Sequence, residues 1–186
     1  MANREELAII RGARAGQASS QLALGKLYLF GSAGLPKSLP TALHWLDRAA
    51  RQDCAEAWRL IGSHIPLDLA RQSAQPVSGW YERAWEDGSP RAALVYAQLV
   101  LEGGEALRPP LRAKALRALE DAAQAGFAEA QWLLARQPVA DTAAATDGAE
   151  SGSAHDAAPD PGKRWLRRAA DSGVAEARLA LLEQEW

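Results

Sequence analysis

Residues 45–53 read WLDRAARQD, and this nine-residue pattern decides the fold because it returns along the chain. It begins with tryptophan or alanine followed by an apolar residue, continues to Ala-Ala or Ala-Trp, and ends in glycine or aspartate. Three clear copies follow it and a weaker one precedes it: WYERAWEDG at 80–88, ALEDAAQAG at 118–126, WLRRAADSG at 165–173 and AIIRGARAG at 8–16. A recurring sequence of this kind indicates a recurring structural unit.

The copies end at residues 16, 53, 88, 126 and 173, so their spacings are 37, 35, 38 and 47 residues. Apolar residues recur at the helical intervals of three and four, and a terminal glycine is typical of a helix C′ position with positive φ. Each period therefore predicts two helices that must stack on their neighbours to bury their apolar stripes. The predicted helices cover about 4–15, 17–30, 40–52, 54–64, 77–87, 89–102, 111–125, 127–137, 162–172 and 174–185.

The best-preserved copy resembles a Sel-one-like repeat, a relative of the tetratricopeptide repeat. Residues 16–31 read GQASSQLALGKLYLFG and residues 41–50 read TALHWLDRAA. The resemblance covers nearly the whole chain except residues 138–161. It implies an all-α, right-handed α-solenoid of about four to five degenerate helical-hairpin repeats, forming a single domain over 1–186. It also implies a non-enzymatic adaptor or scaffold for other proteins, plausible as an accessory of a bacterial signalling, envelope or secretion system.

The anomalous last spacing comes from residues 138–161. Between Pro138 and Gly162 the sequence carries five acidic residues and no lysine or arginine, and almost every other side chain is small. Such a segment has too little apolar surface to offset the entropy cost of ordering it. We therefore expect a flexible acidic insertion within the last full repeat.

Composition narrows the class of protein. The chain has 21 basic and 23 acidic residues, a formal net charge of −2, which argues against binding to nucleic acid. No apolar run approaches the length of a membrane span, and the early acids Glu5 and Glu6 do not fit a secretory signal. A single cysteine, Cys54, excludes an intrachain disulfide. We expect a cytoplasmic protein that does not insert into membranes.

A Cys-dependent hydrolase is the remote enzymatic alternative. It would need Cys54 as nucleophile, His44 or His64 as base and a carboxylate such as Asp68. The position of Cys54 is filled by unrelated residue types in the other copies, so it is an ordinary repeat position. The histidines also lack the spacing of metal ligands on one element. We expect no catalytic residue, no cofactor and no metal.

The tetratricopeptide resemblance places the first helix of each repeat along a groove. Residues three, six and ten positions after each repeat-ending residue are expected to face it, and together they are mildly basic around an aromatic ring. This pattern predicts a partner peptide or helix that carries carboxylates beside an apolar anchor. The candidate partner-binding residues are Lys26, Arg59, Arg91, Gln98, Trp132 and Arg136.

Two questions stay open at the level of sequence. Trp45, Trp80 and Trp165 share one repeat position and are expected in the core, whereas Trp132 fits either a ligand platform or the core. The predicted groove could be a solvated helix face without a ligand. The chain could also be a structural or self-associating subunit of a larger assembly, which an apolar patch on a terminal repeat would favour.

Overall fold

The computed structural model describes residues 4–73, 76–103, 108–137 and 161–184. Within these ranges the chain forms eleven α-helices and no β-strand, so the predicted all-α class is confirmed. None of these helices is both long enough and apolar enough to cross a membrane. Backbone proximity divides the chain into two compact units, Met1–Val95 (unit 1) and Tyr96–Trp186 (unit 2). The expectation of a single domain stays a prediction.

Ten helices lie where the sequence predicted them, with ends shifted by at most two residues. The exception is a five-residue helix that buries Ala70 alone, so no apolar period marks it in the sequence. The helices are α1 Arg4–Arg14, α2 Ala18–Phe30, α3 Leu39–Ala50, α4 Ala55–His64, α5 Leu67–Arg71, α6 Ser78–Glu86, α7 Pro90–Glu102, α8 Pro109–Gln124, α9 Ala128–Ala135, α10 Pro161–Asp171 and α11 Ala175–Gln184.

The same hydrogen-bonded turn ends five of these helices, namely α1, α3, α6, α8 and α10. At the first turn, the Gly16 N–H donates to the Ala13 carbonyl (3.1 Å) and the Gln17 N–H donates to the Gly12 carbonyl (3.0 Å). These two bonds define the Schellman motif, and both recur at the other four turns. We call a helix that ends at such a turn a B helix, and a helix that follows one (α2, α4, α7, α9 and α11) an A helix.

Small residues allow the helices of unit 1 to approach one another closely. α2 packs against α1 and α3, α3 packs against α4, and α4 packs against α6. A Cβ atom on Gly25 would lie 2.7 Å from Leu46 Cδ2, and one on Gly62 would lie 2.6 Å from Ala84 Cβ. Ala49 is fully buried. The close approach that the paired small residues predicted is therefore present.

In unit 2, α8 packs against α9, α9 against α10, and α10 against α11. Trp165 on α10 is 3% exposed, as expected for a core position, whereas Trp45 and Trp80 in unit 1 are only half-buried. The predicted acidic insertion lies outside the described residues, apart from Pro161, which begins α10. One core cluster of this unit consists of Leu166, Ala169, Ala170 and Ala177, with Trp132, Ala135, Val174, Ala180 and Leu181 packed against it.

Candidate protein-interaction surface

In unit 1 the predicted groove residues Lys26 and Arg59 stand on A helices, and each forms an exposed ion pair. Lys26 Nζ lies 2.5 Å from Glu56 Oε1, and Arg59 Nε donates to Asp87 Oδ2 at 2.8 Å. The side chain of Arg59 remains 61% exposed. Both cations are therefore held in a defined position while still facing solvent.

Asp87 is the anchor for a second donor as well. Trp58 Nε1 donates to the same Asp87 oxygen at 2.9 Å. The hydrogen bonds from Trp58 and Arg59 lower the pKa of the Asp87 carboxyl below its ordinary value. The carboxylate form that orients Arg59 is thus favoured down to a lower pH than for a free aspartate.

Arg91 has a different role from the other predicted groove residues of unit 1. Its Nη1 donates to the Gly62 carbonyl at 2.8 Å and to the Ile65 carbonyl at 3.4 Å. The hydroxyl of Tyr81 donates to that same Ile65 carbonyl at 3.1 Å, and burial raises the pKa of the Tyr81 phenol. Arg91 therefore satisfies the carbonyls at the C-terminal end of α4, one of which is left without an intrahelical partner.

In unit 2 the predicted residues are packed to different degrees. Gln98 is 6% exposed and donates to Glu129 Oε1 at 2.6 Å, which joins α7 to α9. Trp132 is half-buried against the core cluster of this unit, and Arg136 lies over its ring, 5.6 Å from the centroid. Trp132 thus packs partly in the core and is partly exposed, and its role as a ligand platform stays a prediction.

Repeat analysis missed an aromatic and cationic cluster on unit 1. The rings of Trp58 and Trp80 are parallel within 5°, with centroids 6.4 Å apart. The Arg83 guanidinium lies 5.0 Å and 5.3 Å from the two ring centres and pairs with Asp53. Trp80 Nε1 donates to Asp47 at 2.8 Å. Tryptophan and arginine are enriched in interface hot spots, but each polar group here already has a partner within the chain.

Buried glutamines tie the repeats together, a role that their polarity did not suggest. Gln21 and Gln131 are 1% and 5% exposed, and each stands five residues after a repeat turn. Each donates to a carbonyl eight residues earlier and accepts from the residue before the next turn. The bonds are Gln21 Nε2 to Ala13 O (3.3 Å), Gln52 Nε2 to Gln21 Oε1 (2.7 Å), Gln131 Nε2 to Ala123 O (3.1 Å) and Ser172 Oγ to Gln131 Oε1 (3.1 Å).

Unit 1 also contains a cleft of about 250 Å³ between α3 and the unpredicted helix α5. Its polar wall includes Asp47, whose carboxylate already accepts bonds from Arg51 and Trp80. The cleft is lined by Pro40, Leu43, His44, Asp47, Leu69, Gln72 and Ser73. The cleft is large enough for a side chain, and the one carboxylate in its lining, that of Asp47, is already paired with Arg51.

The hydrolase arrangement is not assembled around His64. Cys54 is the residue before α4 and His64 is the last residue of that helix, so about 15 Å of helix separates them. Nδ1 of His64 instead forms a hydrogen bond with Ser63 Oγ, and Asp68 pairs with Arg71. His44 stands edge-on against Trp45. Across the described ranges, no group of three or more His, Cys, Asp or Glu side chains could hold a metal ion.

Comparison with known proteins shows that parts of the chain match a known repeat family. The family model of the Sel1 repeat matches residues 18–54 and 162–174. No curated protein matches the chain significantly. A Sel1 repeat protein from Oxalobacter formigenes is 27% identical, covering 92% of this chain, with a TM-score of 0.49. A protective antigen of uropathogenic Escherichia coli with an SLR fold is 24% identical over 94% of this chain, with a TM-score of 0.51. The present chain covers 63% and 35% of those two chains.

Proposed function

We propose that this chain is a non-enzymatic scaffold that binds an acidic, partly apolar segment of another protein through its A helices. The premise is its family, because the chain is a Sel1-like repeat protein and such proteins generally mediate protein–protein interaction. A cytoplasmic location belongs to the proposal, since the free thiol of Cys54 suits a reducing compartment. An accessory role in a bacterial signalling, envelope or secretion system is the setting that we propose.

The observation that carries this proposal is that cations on the A helices are exposed and already oriented. Glu56 holds Lys26, Asp87 holds Arg59, and the Trp132 ring supports Arg136. Surface ion pairs contribute only about 0–1 kcal/mol to stability, so a partner carboxylate can replace Glu56 or Asp87 at little cost. Pre-oriented side chains also lose less entropy on binding.

The proposal assigns the contacts to two separate patches. Lys26 and Arg59 form the patch on unit 1, and Trp132 with Arg136 forms the patch on unit 2, where the half-buried ring offers the apolar anchor. Arg91 and Gln98 are left out of these patches because their hydrogen bonds serve the fold: Arg91 donates to the Gly62 carbonyl and Gln98 to the Glu129 carboxylate. Their substitution would alter the fold before it altered recognition.

The test begins with co-purification of the full chain from its native host and identification of bound proteins by mass spectrometry. The affinity of the purified partner is then measured by calorimetry for the wild type and for Lys26→Glu/Arg59→Glu. We expect the double reversal to weaken binding at least tenfold, or about 1.4 kcal/mol. The matched control is Arg51→Glu/Arg71→Glu, which makes the same change in net charge at two other exposed, ion-paired cations of unit 1. Equal affinities for the wild type and the double variant would contradict the assignment.

A second candidate function is self-association, and one observation favours it. On α11, the last A helix described, Leu179 and Leu182 are 61% and 58% exposed and stand one turn apart. Two large apolar side chains side by side on a surface are typical of an interaction site. The occupant in this reading is a second copy of the chain.

A further inference from the structure

Helix α10 carries four cations on one face. Lys163, Arg164, Arg167 and Arg168 are all exposed, and at 100° per residue they cover a single arc of the helix. The opposite arc is buried and consists of Trp165, Leu166, Ala169 and Ala170. We call these four cations the basic face. The opposite, apolar arc of α10 is packed in the core of unit 2, so this helix exposes no apolar face.

The cations of the basic face form no ion pair within the described part of the chain. Arg164 and Arg168 lie over the Trp165 ring at 5.5 Å and 5.1 Å, and no carboxylate of the described residues comes within 4.0 Å of any of the four. Arg164 acts on Glu120 only at longer range. Asp171, the last residue of α10, lies within the same arc but forms no ion pair among the described residues. In unit 1, Lys26, Arg51, Arg59, Arg71 and Arg83 each have a carboxylate partner, whereas the exposed Arg11, Arg14 and Arg48 have none among the described residues.

Comparison of equivalent repeat positions shows that the charge is reversed on α10. Six residues before the repeat turn, three of the four preceding B helices carry an acid (Asp47, Glu82 and Glu120) and α1 carries Ile10, whereas α10 carries Arg167. In α3 this carboxylate binds Arg51 and also the indole of Trp80 on the next B helix.

The basic face also works against the stability of its own helix. Lys163 and Arg167 are four residues apart, as are Arg164 and Arg168, so both pairs place like charges side by side. Lys163 and Arg164 lie in the first turn or just after it, where the helix dipole disfavours cations. A bound polyanion would relieve both effects. Charged side chains that destabilise their own helix and take no part in its packing are typical of a surface kept for binding.

We propose that the basic face of α10 binds an acidic segment of a partner protein, as a second interaction surface on a B helix. The arginine forks of Arg164, Arg167 and Arg168 suit bidentate contacts to carboxylates. The face spans only about two helical turns, which is short for tracking a phosphate backbone, and the net charge of −2 opposes nucleic acid. The buried apolar arc leaves nothing to insert into a membrane. The proposal does not depend on the A-helix patches.

The test measures binding of a fluorescent polyglutamate peptide to the full chain by anisotropy. The variant Lys163→Glu/Arg164→Glu turns both repelling pairs into attracting ones, places acids in the first turn where the helix dipole favours them, and leaves Arg168 over Trp165. We expect at least tenfold weaker binding together with a melting temperature raised by about 2 °C. A merely structural role of the basic face would not move the two readouts in these opposite directions.

The matched control is Arg11→Glu/Arg14→Glu, which makes the same change in net charge at two exposed cations of α1. Affinity within twofold of wild type is expected for this control. A similar loss in the control would overturn the proposal as a net-charge effect. Wild-type protein that ignores the peptide would also overturn it. So would tighter binding to a single-stranded RNA or to phosphatidylglycerol vesicles that the α10 variant abolishes.

Discussion

Asp53 occupies a position that the other repeat turns give to glycine. The four glycines have φ between 89° and 97°, and Asp53 has φ 58°, the one positive φ of a non-glycine residue in the described ranges. The Schellman bonds of this turn are nonetheless complete, with 3.0 Å from the Asp53 N–H to the Ala50 carbonyl. The side chain that replaces glycine gains only an exposed pairing with Arg83 at 3.3 Å. The repeat thus tolerates a strained residue because the turn itself is over-determined by its backbone bonds.

The residue-scale prediction is that Asp53→Gly stabilises the protein by about 0.5 kcal/mol. Relief of the left-handed backbone strain outweighs the loss of an exposed ion pair. Urea unfolding followed by circular dichroism measures the change. The control is Gly126→Ala, where an added Cβ would meet nothing within 4 Å yet φ is 95°, so a loss of about 1 kcal/mol is expected from conformation alone. Destabilisation by Asp53→Gly would show that the aspartate side chain is needed at the turn.

Helices in this protein pack through their smallest residues. Ala49 on α3, Ala84 on α6, Ala122 on α8 and Ala169 on α10 stand at one repeat position, and each is fully buried. Gly25 and Gly62 make the matching close approaches from the A helices. Close contact between backbones leaves no room for a longer side chain, because protein interiors relax only partly around an added group.

The element-scale prediction is that Ala122→Arg, and likewise Ala49→Arg, destabilises the fold by more than about 3 kcal/mol. The substitution forces a long charged side chain into a buried contact without a partner. Thermal unfolding measures the effect. Ala125→Arg is the control, since Ala125 is exposed just after α8 and a change within about 0.5 kcal/mol is expected. Melting of Ala122→Arg at the wild-type temperature would rule out the packing described for α8.

On the scale of the whole molecule, α11 stands out by its exposed leucines. Nine residues after the turn, α2 and α4 carry Gly25 and Gly62, and each packs against the B helix that follows it. The equivalent residue of α11 is Leu182, which is 58% exposed beside Leu179. A leucine at this position does not fit the close approach made by the internal hairpins. The exposed pair therefore suits a looser contact, such as one between copies of the chain.

The prediction at this scale is that self-association, where it occurs, depends on these two leucines. Light scattering after size-exclusion chromatography should give a mass that rises with concentration for the wild type and stays monomeric for Leu179→Glu/Leu182→Glu. Phe30→Glu serves as the control because Phe30 is 59% exposed on unit 1. A wild-type chain that stays monomeric at every concentration would exclude this second candidate function.

The sequence by itself determined the helices, their turns and the repeat. These features depend on residues within about one helical turn of each other, such as the apolar period and the C′ glycines, so local chemistry specifies them. The short helix α5 was not predicted, because five residues are too few to show an apolar period. The family resemblance came from the same local pattern around Gly25 and Trp45.

Only the tertiary structure decided which polar side chains bind a distant residue of the chain and which stay exposed to solvent. Gln21 pairs with Gln52 across 31 positions, Trp58 with Asp87 across 29, and Ser172 with Gln131 across 41. Nothing in a single sequence encodes such partners, because the bond depends on how two distant helices are placed against each other. The same holds for the contrast between Arg91, which caps carbonyls, and the four cations of the basic face, which pair with no carboxylate in the described ranges. Arginine is one residue type in the sequence, and the packing around it gives it one role or the other.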